Sequence, residues 1–247
     1  MKNPHPVAEI EWREGLPYAS IFQDVYFSTD NGLAESQFVF LEQNNLAARF
    51  SLLNSRNFTI AETGFGTGLN FLSTWQLWLE TAAPNSQLHF ISIEKYPLSI
   101  TDLTQALAHW PELNTYSQLL LAQYQQFSAG LHQLSFAKGK VLLSLLIGDI
   151  TEMLPQIETI QTGTTLNIAI DAWFLDGFSP AKNPDMWSSA LFLQMAKLAH
   201  QHTTFATFSS AGVVRRGLQA VGFQVNKLAG FGKKREMLRG YFLGDHT

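Results

Sequence analysis

The sequence contains no cysteine, which excludes disulfides, thiolate metal sites and a cysteine nucleophile. It also lacks a long apolar run, since the longest one, residues 141–147, includes a serine and is far too short to span a membrane. Residues 1–15 contain no apolar stretch of the kind that forms the core of a signal peptide. These absences predict a soluble, cytoplasmic protein with no membrane partner.

Charge is unevenly distributed along the 247 residues. The net charge is −4, yet residues 212–240 contain seven basic side chains and one acid, so this segment carries +6 and the rest of the chain −10. The asymmetry predicts a basic face for nucleic acid, with an ordinary solvated surface as the alternative. The seven basic residues are Arg215, Arg216, Lys227, Lys233, Lys234, Arg235 and Arg239.

Short apolar runs alternate with amphipathic stretches from residue 58 onward. The alternation predicts an α/β fold with a doubly wound, mostly parallel sheet and an antiparallel C-terminal strand. Residues 1–55 fit this pattern less well and are predicted to form a small N-terminal extension or lid packed on a core domain, 56–247. The predicted strands are 58–61, 88–93, 141–147, 172–175, 203–208, 223–229 and 237–243, and the predicted helices are 69–79, 100–107, 185–199 and 210–219, the last capped by Ser210.

A glycine-rich loop follows the first of these strands and opens a helix. Residues 62–70 read ETGFGTGLN, in which Glu62 precedes the three glycines and Asn70 ends the motif. An acid followed by G-x-G-x-G is the usual first motif of S-adenosylmethionine-dependent methyltransferases, whereas NAD sites have G-x-G-x-x-G or G-x-G-x-x-A. The alternative is a tight strand-to-helix turn with no ligand. The three glycines are Gly64, Gly66 and Gly68.

Three acids follow three other predicted strands. Glu94 is placed to accept hydrogen bonds from ribose hydroxyls, and Asp149 to accept one from an adenine amino group. Asp176 ends the run before Gly177. Each acid alone is commonly a helix cap or a loop residue, but the set predicts a nucleoside site at the sheet edge that carries the glycine loop.

One long string carries a family resemblance. Residues 171–187 read DAWFLDGFSPAKNPDMW, and together with 24–28, 30–33, 62–72, 209–217 and 230–237 they closely resemble the methyltransferase half of the MnmC family. Members of that family are bifunctional tRNA 5-methylaminomethyl-2-thiouridine biosynthesis proteins. The resemblance covers nearly the whole chain and implies a Rossmann-like methyltransferase fold.

The resemblance also implies a reaction. The methyltransferase half moves a methyl group from S-adenosylmethionine to the amine of 5-aminomethyl-2-thiouridine at the wobble position of tRNA, and an FAD-dependent oxidase half prepares that amine. This chain ends at Thr247, so no FAD site is expected in it, and the oxidase is expected as a fused domain or a separate partner. Residues 199–203 replace an expected glycine turn and are not predicted to reach the active site.

That substrate suggests roles for particular residues. Asp176 is predicted to hydrogen-bond and orient the amine and to accept its proton directly or through water. Phe178 is predicted to pack against the flipped base, with plain core packing as the alternative. Lys182 is predicted to contact a phosphate, with a solvated loop lysine as the alternative. The predicted phosphate contacts in the anticodon stem-loop are Arg215, Arg216, Lys233, Lys234 and Arg235.

Other classes of function fit the sequence less well. The glycine spacing argues against an NAD-dependent oxidoreductase. A catalytically silent tRNA- or partner-binding module with the same fold remains an alternative, although the acids of the predicted site are intact. No metal site is expected, because His200 and His202 are the only closely spaced pair among seven histidines.

Overall fold

A computed structural model of the protein describes residues 5–27, 31–53, 56–160 and 168–244. The strands form two sheets, a small antiparallel one and a large mixed one. The small sheet has the order β1-β2-β3 and consists of β1 (Ile10–Arg13), β2 (Leu16–Ala19) and β3 (Asp24–Val25).

The large sheet has eight strands in the order β10-β11-β9-β8-β4-β5-β7-β6. Its central strands β9, β8, β4, β5 and β7 are parallel, whereas β11 runs antiparallel to both of its neighbours and β6 antiparallel to β7. The predicted mostly parallel sheet with an antiparallel C-terminal strand is therefore confirmed. Its strands are β4 (Phe58–Glu62), β5 (Leu88–Glu94), β6 (Gly130–Phe136), β7 (Val141–Ile147), β8 (Ile170–Phe174), β9 (Ala199–Thr207), β10 (Phe223–Ala229) and β11 (Glu236–Phe242).

Helices cover both faces of this sheet. Each face has its own apolar core, in which Phe71, Trp75 and Trp78 lie on one side and Trp173 and Met195 on the other. The α-helices are α1 (Gly32–Ser36), α2 (Leu46–Ser51), α3 (Leu69–Thr81), α4 (Ile100–Leu107), α5 (Asn114–Gln123), α6 (Ile150–Met153), α7 (Ser189–Lys197) and α8 (Gly212–Ala220). A π-helical segment follows α1 (Gln37–Glu42), and short 3₁₀ turns occupy Pro111–Leu113, Ala137–Gly139, Leu154–Thr159 and Pro184–Trp187.

The central strands are mostly apolar because both of their faces are buried. Every residue of β4 and β8 is buried. The helix α3 buries Phe71, Trp75 and Trp78 against this sheet, which explains its regular apolar spacing.

Two predicted helices differ from the observed ones. The helix predicted at 185–199 is wrong in extent, because Ser188 adopts an extended conformation and its hydroxyl accepts from the N–H of Leu191, so the α-helix begins after it. At its far end Ala199 already pairs in the sheet with Ile170. The predicted cap Ser210 is also wrong, since α8 has Ala211 at its N-cap and begins at Gly212.

The N-terminal residues pack on the large sheet and its helices. Phe50 stacks edge-on against Phe58 of β4, with ring centroids 5.0 Å apart. The Trp12 indole N–H donates to the Asp102 carboxylate at 3.0 Å. The predicted division between an extension and a core domain stays a prediction, and residues 54 and 55 beside that boundary lie outside the described part of the chain. Among the described residues, no helix combines the length and apolar character needed to cross a membrane.

Candidate active site

A cavity of about 530 Å³ lies at the carboxyl ends of the central strands. Its volume falls within the usual range for small-molecule sites. Its walls come from the glycine loop, from the ends of β5, β7 and β8, and from the N-terminal segment that includes Phe22 and Tyr26. Of the predicted cofactor and catalytic residues, those that line it are Gly64, Gly66, Asn70, Glu94, Asp149, Asp176 and Phe178.

The glycine loop packs closely against the segment that follows β8. A Cβ atom on Gly64 would lie 3.2 Å from the carbonyl oxygen of Asp176, so a side chain there would push the two segments apart. Gly68 is the N-cap of α3 with a φ of 72°, a conformation that glycine adopts without strain. The loop therefore needs glycine at these positions for its backbone to reach both α3 and Asp176.

Glu94 lies at the end of β5 and faces the cavity. The backbone N–H groups of Gly66 and Tyr96 each donate to one of its carboxylate oxygens at 2.8 Å. Burial raises the pKa of this carboxyl above its usual value, while these backbone donors oppose the rise. A carboxylate has about four acceptor sites, so Glu94 keeps acceptor capacity for a ligand in the cavity.

Asp149 follows β7 and caps α6. One of its oxygens accepts from the Thr151 N–H at 3.0 Å and from the Thr151 hydroxyl at 2.7 Å, and the other accepts from the Lys95 ammonium at 2.8 Å. The hydrogen bond from Lys95 is the largest reason that the pKa of Asp149 falls to about 2. Any further donor would share this carboxylate with Lys95 and Thr151.

Asp176 follows β8, and its side chain lines the cavity. One of its oxygens accepts from the Asn70 side-chain amide at 2.6 Å, and the other accepts from the Gly177 N–H at 2.8 Å. Burial raises its pKa to about 6, although both hydrogen bonds and the nearby Lys234 ammonium act in the opposite direction. The carboxylate is thus ionised at neutral pH and still within reach of protonation.

Glu62 lies beneath the cavity wall and does not line the cavity. It is 1% exposed, and its oxygens accept from the Asn70 amide at 2.8 Å and from the Ser92 hydroxyl at 2.7 Å. Burial, followed by the proximity of Asp176, raises its pKa well above the usual value. Its predicted role in cofactor binding stays a prediction, and in this position it reaches the cavity only through Asn70.

Aromatic rings form one wall beside Asp176. Phe178 stacks on Phe22 with ring centroids 4.4 Å apart and meets Tyr26 edge-on at 5.5 Å. Sequence reasoning did not assign Phe22 or Tyr26 to the site, although residues 24–27 belong to the family resemblance. By contrast Trp173 and Trp187 are 0% and 3% exposed and belong to the core.

The Lys182 side chain ties the N-terminal segment to the loop after β8. Its ammonium donates to the Gln23 carbonyl at 2.6 Å and pairs with the Asp24 carboxylate at 3.1 Å. Its side chain is 39% accessible, so the predicted phosphate contact stays a prediction, and in this structure the ammonium pairs with the N-terminal segment.

The predicted phosphate contacts occupy different environments. Lys234 lines the cavity, pairs with Glu35 of α1 and lies 4.7 Å above the Phe208 ring. Glu35 was not anticipated, because it lies 199 residues away in the sequence. The others do not line the cavity; they are exposed on α8 and on the loop between β10 and β11, and comprise Arg215, Arg216, Lys233 and Arg235.

The fold and the cavity at its strand ends are typical of S-adenosylmethionine-dependent methyltransferases, and comparison with known proteins agrees. Residues 111–242, just over half of the chain, match the model of a family described as S-adenosyl-L-methionine-dependent methyltransferases. The chain belongs to that family, and S-adenosylmethionine is its cofactor. The class rules out the NAD-dependent oxidoreductase considered from the sequence.

The similar proteins are more specific, and they confirm the resemblance seen in the sequence. The bifunctional tRNA 5-methylaminomethyl-2-thiouridine biosynthesis protein MnmC of Methylobacillus flagellatus is 55% identical over 239 residues, which are 97% of this chain and 36% of that protein. MnmC of Aeromonas hydrophila is 56% identical over 237 residues, 94% of this chain and 35% of that protein. The chain therefore spans about a third of the length of these relatives.

A solved structure supports the fold. The crystal structure of MNMC2 from Aquifex aeolicus superimposes with a TM-score of 0.73 and covers 99% of this chain and 73% of that one. Its sequence identity is 21%, so this similarity bears on the architecture alone.

Proposed function

We propose that this protein transfers a methyl group from S-adenosylmethionine to the exocyclic amine of 5-aminomethyl-2-thiouridine at the wobble position of tRNA. The names of the relatives supply the substrate. The observation that carries the proposal is Asp176, a part-buried carboxylate that lines the cavity together with Phe178 and has a pKa of about 6.

The cavity fits the cofactor. The glycine loop, held in place by the close packing of Gly64 on the Asp176 backbone, forms a cradle for the cofactor, and Glu94 keeps acceptor capacity for ribose hydroxyls. Asp149 offers its remaining acceptor site to an adenine amino group. We assign Gly66 to the same cradle, while Gly68, Asn70 and Glu62 shape it from beneath. When bound, S-adenosylmethionine supplies an electrophilic methyl group on a positively charged sulfur.

The substrate amine has to lose a proton before it can accept the methyl group. An alkyl amine resembles lysine, whose pKa is about 10.4, so it arrives protonated and has no lone pair for the methyl group. The apolar wall lowers the pKa of the amine by desolvation, and the Asp176 carboxylate, which has two acceptor sites not used by Asn70 and Gly177, accepts its N–H and then its proton. The ionised form of Asp176 is required, so the rate is expected to fall below about pH 6.

The base has to leave its stack to reach Asp176. Phe178, backed by Phe22 and Tyr26, presents an aromatic surface for the extruded base. Phosphates of the anticodon stem-loop would contact the exposed basic side chains of α8 and of the loop between β10 and β11, together with Lys234. We also propose that an FAD-dependent oxidase, fused or separate, supplies the amine, and that the protein acts in the cytoplasm with its tRNA.

The test is methyl transfer from labelled S-adenosylmethionine to tRNA that carries 5-aminomethyl-2-thiouridine. Label is expected at the wobble base with the wild-type protein, lost with Asp176→Ala and retained with Glu152→Ala, which removes an exposed carboxylate from α6. Cofactor binding without any labelled tRNA would refute the substrate. Absence of cofactor binding would instead favour the silent binding module.

A further inference from the structure

The Asn70 side chain joins two carboxyl groups. Its amide nitrogen donates to Glu62 at 2.8 Å and to Asp176 at 2.6 Å, and its amide oxygen accepts from the Ser36 hydroxyl. An amide has two N–H donors, and both are used. The opposite rotamer would point the amide oxygen at two carboxyl groups, so this contact pattern fixes the orientation of Asn70.

Asn70 and two of its three partners, Ser36 and Glu62, lie away from bulk water, whereas the third partner, Asp176, lines the cavity. Asn70 is 6% exposed, Ser36 4% and Glu62 1%. They come from three separate elements, α3, α1 and β4. A buried hydrogen-bond network of this kind holds its members rigidly, because a group that leaves its partner cannot find water instead.

We propose that Asn70 is a positioning residue that holds the Asp176 carboxylate in place for the amine, and that Glu62, as a neutral carboxyl group, is the acceptor that fixes Asn70. The reaction of Asp176 with an amine rests on the proposed function above. The positioning itself does not depend on which amine is methylated.

The surroundings of Glu62 favour its neutral form. In the described part of the chain, the groups that hydrogen-bond to its carboxyl are the side chains of Asn70 and Ser92, both uncharged. Two carboxyl groups that share one site do not both ionise readily. The Ser92 hydroxyl, 2.7 Å from Glu62, can accept the carboxyl proton as well as donate one. These contacts favour the neutral form of Glu62, with Asp176 as the anion of the proposed pair.

Other charged groups also face this pair. Lys234 approaches Asp176 from the loop between β10 and β11 and stabilises its anion, whereas Glu35 of α1 opposes it. These two side chains form an ion pair with each other, which reduces their combined effect on Asp176. The charge of Glu94 on β5 also raises the pKa of Glu62. Asn70 is the neutral group that contacts both carboxyl groups directly.

The experiment follows the Asp176 titration by NMR of the full chain labelled with ¹³C at aspartate carboxyl groups, with Asp176→Asn to assign the signal. Wild-type protein should titrate near pH 6. Loss of a hydrogen bond to a charged group in Asn70→Ala should raise the midpoint by about one pH unit. Glu62→Gln keeps an acceptor for Asn70 and a group that can donate to Ser92, so it should leave the midpoint unchanged. The matched control is Ser73→Ala, which removes a buried hydroxyl from the same helix without touching either carboxyl group.

Two results would overturn the proposal. An unmoved midpoint in Asn70→Ala would show that the amide does not stabilise the Asp176 anion, and a lowered midpoint in Glu62→Gln would show that Glu62 carries a charge. If Asn70→Ala does not fold, Ser36→Ala, which frees only the amide oxygen, should give a smaller upward shift, and no shift there would count equally against the proposal.

Activity provides the second readout. The acidic limb of the methyl-transfer pH profile should move upward together with the NMR midpoint in the Asn70 variant, which a purely structural role would not produce. The titration needs no tRNA. If the Asp176 midpoint shifts as expected in Asn70→Ala but no tRNA is methylated, the proposed substrate alone is refuted. An active enzyme whose pH profile ignores Asn70 would refute the positioning role alone.

Discussion

Replacement of Asp176 by asparagine should stabilise the folded protein at neutral pH while it abolishes methyl transfer. Burial raises the pKa of Asp176 from 3.8 to about 6, and each pKa unit corresponds to about 1.4 kcal/mol. As the pH rises, the Asp176 carboxyl ionises at a lower pH in the unfolded chain than in the folded protein. The free energy of unfolding therefore falls by about 3 kcal/mol between about pH 4 and pH 6 and stays lower at higher pH.

Asparagine carries no charge, and so it escapes this loss. Its amide nitrogen, however, cannot accept the hydrogen bond that Gly177 now donates at 2.8 Å, which costs about 1 kcal/mol. The net gain is about 2 kcal/mol at pH 8, equivalent to about 4–8 °C in melting temperature for a chain of this size.

Thermal and urea unfolding of both proteins at about pH 8 and about pH 4 would measure this. At the lower pH both side chains are neutral, so the advantage of the variant should disappear or reverse slightly. A variant that is no more stable than the wild type at pH 8 would refute the reasoning, because it would mean that burial does not destabilise the ionised form of Asp176.

Three further substitutions test other parts of the site. Gly64→Ala places a Cβ atom 3.2 Å from the Asp176 carbonyl and should weaken S-adenosylmethionine binding about tenfold by calorimetry; unchanged affinity would mean that the cradle is not the cofactor site. Arg215→Ala should lower the salt slope of tRNA affinity by about one, and an identical slope would exclude a phosphate contact. Phe22→Ala removes the ring stacked on Phe178 at 4.4 Å and should lower kcat/KM for tRNA about threefold to tenfold, with cofactor affinity nearly intact; equal losses of both would contradict a role on the side of the base.

The central sheet and the acids at its edge are predictable from the sequence for a physical reason. Strands buried on both faces are mostly apolar, as 141–147 is apart from Ser144, and such runs stand out from their flanks. The parallel arrangement then brings their carboxyl ends to one edge, so Glu94, Asp149 and Asp176 meet there although 82 residues separate the first from the last. The local sequence pattern and the parallel topology are together sufficient to predict the central sheet and the acids at its edge.

The rest of the site depends on contacts that no local pattern records. Phe22 and Tyr26 reach Phe178 across more than 150 residues from a segment with little regular structure. The edge strand β6 was not predicted, because its burial alternates and much of it is polar. The helix after Pro184 was overextended because Leu191 and Met195 have helical spacing while Ser188 interrupts the backbone locally.

Some basic side chains counted in the sequence are paired with carboxylates in the structure. Lys182 and Lys234 each have a carboxylate partner from the N-terminal part of the chain, Asp24 and Glu35. The Lys182 pair is partly exposed, with 39% and 31% of the two side chains accessible, so it contributes less than about 1 kcal/mol to stability. Its stronger effect should be to hold the N-terminal segment over the cavity.

Lys182→Ala separates these two roles. If Lys182 is a tether, the variant should raise KM for tRNA several-fold, leave the salt slope of tRNA affinity unchanged, and show no additional effect when combined with Asp24→Ala, because both substitutions break the same contact. If Lys182 leaves Asp24 to bind a phosphate, the salt slope should fall by about one and Asp24→Ala should not reproduce the loss. Measurement of tRNA affinity at several salt concentrations decides between them, and the two hydrogen-bonding contacts of its ammonium at 2.6 and 3.1 Å favour the tether.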